Sequence, residues 1–71
     1  MNVKNSLEKI YIEYGFDFNN PIEIMELDSV DFISFVIDIE EEFDINFPDE
    51  FLNKESFIKT QLVLNIIEGL L

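Results

Sequence analysis

A chain of 71 residues is one domain, and with no Cys and no His it has neither disulfides nor thiolate or imidazole metal ligands to staple it. Its 48% hydrophobic content, with eight Phe and two Tyr, must supply the core by packing alone. Sixteen acids against four Lys and no Arg give a net charge of −12, which disfavours nucleic acid and anionic membrane and favours a basic protein surface as partner.

The charge is unevenly spread. Lys4, Lys9, Lys54 and Lys59 lie near the ends, and from Ile10 to Asn53 there are thirteen acids and no base. Without His, Cys or Arg there is no histidine base, thiolate or guanidinium clamp, so the chain is not expected to be an enzyme. No basic segment precedes an apolar one and no apolar run approaches 18 residues, so a soluble, cytoplasmic protein is expected.

The first helix is predicted over Asn2 to Tyr14. Val3, Leu7, Ile10 and Tyr14 make one stripe at intervals of 4, 3 and 4, and Gly15 is free to close it in the left-handed conformation. Phe16 to Leu27 has no sustained period and contains Asn19-Asn20-Pro21, so it reads as a long loop. Its candidate anchors to the core are Phe16, Phe18, Ile22, Ile24 or Met25.

Asp28-Ser29 opens the most regular stretch, a helix running through Phe43. At 100° per residue, Phe32, Phe35, Val36, Ile39 and Phe43 cover one face, and Asp31, Ser34, Asp38, Glu41 and Glu42 gather opposite. Val30 and Ile37 fall at the border of the acidic arc, with Ile33 beside them. Spacing leaves two options for these three: exposure, or packing under the long loop.

Pro48 ends that helix, and Asp49 to Lys54 is predicted to form one short helical turn. The last helix begins at Lys59 or Thr60 and ends at Leu70, with Val63, Ile66, Ile67 and Leu70 inward and Leu62 and Leu64 as further apolar positions. The sum is an all-α fold, a small four-helix bundle of three main helices plus a short third one.

Two acidic patterns carry little. Asp44, Asn46 and Glu55 match positions 1, 3 and 12 of a calcium loop, but Asp49 stands where that loop requires Gly. Glu40-Glu41-Glu42 reads as a solvated helix face, and no carboxylate pair is singled out for acid–base work. Ser29 has two readings. It is either a helix N-cap or, since a phosphate ester is favoured by the free N–H groups and dipole of a helix start, a site of covalent modification.

Met25-Glu26-Leu27-Asp28-Ser29-Val30-Asp31, then Phe35 to Ile45 with its Glu40-Glu41-Glu42-Phe43 core, then Pro48-Asp49-Glu50, resembles the acyl carrier protein family over nearly the whole chain. The resemblance implies a four-helix fold with 4′-phosphopantetheine on Ser29, attached from coenzyme A by a phosphopantetheinyl transferase. It implies that Asp28 helps orient that transfer and its metal. The arm would hold acyl or aminoacyl intermediates as thioesters, loaded by a ligase or acyltransferase and passed to downstream enzymes of fatty acid, polyketide or nonribosomal peptide type. The second helix would be the recognition surface, with Val30 and Ile37 as exposed apolar positions. Asp31, Ser34, Asp38 and Glu41 would form a rim for basic docking patches. A monomer is expected.

This sequence departs from the family pattern in places. Ser34 stands where many relatives carry an acid, Val30 replaces a more frequent leucine, and Thr60 falls where an apolar residue commonly opens the last helix. Glu26 occupies the place of a usual glycine, which implies a backbone with no need of positive φ there. Phe32, Phe35, Phe43, Phe47, Phe51 and Phe57 promise an aromatic core with little internal room, favouring a short, polar or aminoacyl cargo. The rival reading is an unmodified acidic helical module that binds a basic partner or mimics nucleic acid.

Overall fold

Three side chains start three helices. The Oδ1 atoms of Asn2, Asp28 and Asn53 each accept from a backbone N–H three residues on, those of Asn5, Asp31 and Ser56, at 3.0, 2.8 and 2.9 Å. Each satisfies a donor that a helix start leaves without an internal partner. In the computed structural model, which describes residues 2–71, the helices so opened are α1 (Val3–Glu13), α2 (Ser29–Phe43) and α3 (Lys54–Ile58). Lys59 alone separates α3 from α4 (Thr60–Leu70). Among the described residues the architecture is all-α, and no helix is long and apolar enough to cross a membrane.

The helix ends are as specific as the starts. Gly15 has φ +85, and its N–H donates to Ile12 while the Phe16 N–H reaches back to Tyr11 at 2.9 Å. This is the paired closure of a Schellman motif, with the Tyr11 and Phe16 rings in contact across it at 6.4 Å. Asp44 ends α2 in the left-handed region at φ 54, which a short polar side chain tolerates. Glu26 is not among the positive-φ residues, in keeping with the absence of glycine there.

The core is one cluster to which all four helices contribute. Leu7, Ile10 and Tyr11 of α1 meet Phe32, Phe35, Val36, Ile39 and Phe43 of α2, then Phe57 of α3 and Val63, Leu64 and Ile67 of α4. Tyr11 is absent from the stripe read by spacing, yet it is completely buried. Its ring meets Phe18 and Phe35 edge-on at 5.1 and 5.0 Å, and its hydroxyl donates to the Phe57 carbonyl at 2.6 Å. It thereby joins α1, the long loop, α2 and α3.

Several expectations need correction. The loop is anchored by Phe16, Phe18, Pro21 and Ile24, whereas Ile22 and Met25 are exposed, because Ile22–Glu26 forms a 3-10 turn that aims Ile24 inward. In α4, Leu64 is buried and Leu70 is not. The short turn covers Asp49–Phe51, and the third helix follows it at Lys54–Ile58, where the Asn53 cap restarts the chain. Phe51 is only half-buried, and the aromatic core gains Phe16 and Phe18 in its place.

Tyr11→Phe leaves the buried Phe57 carbonyl without its donor, so it lowers unfolding free energy by about 1–3 kcal/mol in urea titration. Burial holds the Tyr11 proton on well above the ordinary phenol range. Tyr14 is pushed up to about 12 by burial first, then by its bond to Asp38 and the charges of Asp38, Asp31 and Glu13. Both phenols favour the folded state while protonated, and unfolded phenols ionise near pH 10. Stability from these groups is therefore fully present below about pH 10 and falls as pH rises through the folded values. Urea midpoints at about pH 9 and about pH 11 check this, and Tyr11→Phe is expected to shrink the difference.

Candidate functional site

Ser29 is the first residue of α2 and is exposed. The two readings of the Asp28-Ser29 pair separate here, because the capping residue is Asp28. Its backbone is extended at φ −76 and ψ 173, and its carboxylate accepts from the Asp31 N–H. Ser29 has no part in that bond. Its primary hydroxyl stands at the amino end of a fifteen-residue helix, where backbone N–H groups and the dipole favour an anionic substituent.

The approach to Ser29 is held from two sides. Ile24, completely buried, fixes the 3-10 turn, and Leu27 packs half-buried against the core. The Lys54 ammonium, at the first position of α3, donates to the Leu27 carbonyl. Beside this junction a groove of about 370 Å³ runs between α2 and the segment leading into α3. Its apolar lining is Phe32, Ile33, Val36, Ile37 and Leu52, and its polar members are Ser29, Glu40 and Lys54. That volume is at the small end of ligand clefts, which span about 300–1,000 Å³.

The outward ridge of α2 is apolar at three positions. Val30, Ile33 and Ile37 are 72%, 56% and 45% exposed, so they do not pack under the loop. Asp31, Ser34, Asp38 and Glu41 are also exposed. They are not equivalent, however. Asp38 accepts a hydrogen bond from the Tyr14 hydroxyl at 2.5 Å and, with Glu13, Glu41, Glu42 and Ile10, lines a depression on the α1 flank. The groove on the opposite flank gathers Ser29 and Ile37, while Val30, Asp31 and Ser34 do not line it.

Sequence reasoning missed three contributors, while Ile33, which completes the apolar ridge, was already placed beside Val30 and Ile37 by the helical wheel. Leu52 and Lys54 come from a segment distant in sequence, and only the fold brings them to Ser29. Glu40 was grouped with a solvated acidic run, but its Oε2 accepts from the Phe47 N–H at 2.8 Å and fastens the chain after α2 back on the helix. Comparison with known proteins adds nothing to the geometry: no family model, curated protein or solved structure matches the chain.

The division of labour at the α2 start is measurable. Asp28→Ala removes the cap and is expected to lower stability by about 1 kcal/mol. Ser29→Ala is expected to change it by less than about 0.5 kcal/mol, as for an exposed residue outside any network. Equal losses in the two variants would contradict the assignment.

Proposed function

We propose that the chain is a carrier that takes a 4′-phosphopantetheine arm on Ser29 and presents acyl or aminoacyl thioesters to partner enzymes. The observation that carries this reading is the state of Ser29. It is exposed at a helix start, relieved of capping by Asp28, and sits on an apolar groove.

The residues fit the arm. In the transfer, the Ser29 Oγ attacks the phosphorus of coenzyme A that bears the pantetheine, forming a phosphodiester P–O bond. The pyrophosphate bond breaks, the adenosine bisphosphate leaves with the electron pair, and the serine proton passes to a base on the transferase. Ser29 supplies only the oxygen, which agrees with a chain lacking His, Cys and Arg. The α2 amino end stabilises the resulting negative charge. When bound, the arm supplies a terminal thiol that holds the cargo as a thioester.

The interior is filled by aromatic rings in edge contact, so cargo is not expected among them. The groove beside Ser29 is lined by Phe32, Ile33, Val36, Ile37 and Leu52. That lining suits an apolar acyl group better than the short polar cargo suggested by aromatic content. The exposed Val30–Ile33–Ile37 ridge and the neighbouring acids suit partners with a basic surface around an apolar notch, steered together by charge.

Intact-mass spectrometry after incubation with coenzyme A, magnesium and a broad-specificity phosphopantetheinyl transferase tests the proposal. The expected result is a gain of one phosphopantetheine on the wild type and none on Ser29→Ala. No gain with several transferases, on protein with a cooperative thermal transition, would favour the unmodified acidic interaction module.

A further inference from the structure

Lys54 is out of place by helix electrostatics. A cation in the first turn opposes the helix dipole, and α3 already has its cap in Asn53. The other three lysines, Lys4, Lys9 and Lys59, are exposed, whereas Lys54 is half-buried. Its ammonium reaches 27 residues back in sequence to the Leu27 carbonyl, two residues before Ser29. That carbonyl lies in the extended link between the 3-10 turn and α2. A charge-assisted bond of this kind is about twice as strong as a neutral one. Among the described residues, Lys54 is also the one cation lining the groove that Ser29 borders.

We propose that Lys54 is a positioning residue for the modification of Ser29. Clamped on the Leu27 carbonyl, it fixes the junction that presents the serine hydroxyl. It also places positive charge beside the point where an anionic phosphodiester is introduced. In a region of thirteen acids and no base, from Ile10 to Asn53, no neighbour in sequence offers that charge. The inference rests on the carrier reading for its function. The clamp itself stands apart from that reading and is tested apart from it.

The experiment compares wild type, Lys54→Met, Lys54→Arg and Tyr11→Phe. Met keeps an apolar stem without the charged donor, Arg restores a cation and donor, and Tyr11→Phe is a destabilised control whose lost bond involves none of Ser29, Leu27 and Lys54. Amide hydrogen exchange needs no arm: the hydrogen-bonded amides at the junction, those of Leu27, Asp31 and Phe32, should exchange about tenfold faster in Lys54→Met, with the α4 core amides unchanged. In steady-state transfer from coenzyme A, Lys54→Met should lose about tenfold in kcat/KM, Lys54→Arg should recover most of it, and Tyr11→Phe should transfer at the wild-type rate. Unchanged exchange in Lys54→Met overturns the clamp. Normal transfer in Lys54→Met, or a loss in Tyr11→Phe that tracks stability equally, overturns the positioning role. Failure of the wild type itself to accept the arm overturns the carrier reading instead, and the exchange result still decides the clamp.

Discussion

Phe35 of α2 meets Tyr11 of α1 and Tyr14, which caps the end of α1, edge-on, each with ring centroids 5.0 Å apart, and lies 6.1 Å from Phe57 of α3. Edge-to-face contacts of this kind are directional as well as apolar, so they set how α2 is rotated about its axis. With Phe35 turned inward, Phe32, Ile39 and Phe43 follow it at helical spacing, and Val30, Ile33 and Ile37 are forced out. The same rotation brings Ser29 to the groove and Asp38 to Tyr14. The exposed ridge is thus a consequence of the core, and what is left outside is the surface on which the proposed function rests.

Charge constrains the molecule in the opposite sense. Thirteen acids between Ile10 and Asn53 repel one another, and no base in that stretch relieves them. The fold relieves a few by hydrogen bonding. Asp28 accepts from a helix N–H, Glu40 from the Phe47 N–H, and Asp38 from the Tyr14 hydroxyl. Glu41 and Glu42 stay at the surface. An acidic face kept at that expense is suited to steering a basic partner.

Elements governed by local rules were legible in the residues. The α1 stripe, the Gly15 stop, the inward face of α2 and the start of α4 near Thr60 all follow from spacing and end signals within a few positions. Contacts that depend on distant segments were not. Tyr11 lies beside the stripe, and only the arrival of Phe18, Phe35 and the Phe57 carbonyl makes it a junction of the core. The Asn53 cap and short α3 were hidden behind Pro48, where one turn was predicted and a turn plus a helix stand. At the site, Asp28 and Ser29 were visible as a pair, but which of them caps required coordinates. Lys54 could be seen as an isolated base, and its bond to Leu27 could not.

The central claim is that Ser29 carries a phosphopantetheine arm in the cell. Because no Lys or Arg lies between Ile10 and Asn53, trypsin leaves the whole region in one fragment, Ile10–Lys54. The direct measurement is the mass and fragmentation of that peptide from protein made by its natural cells. The account predicts a fragment heavier by one phosphopantetheine, bare or acylated, with the added mass located on Ser29. A fragment found solely at its unmodified mass would contradict it.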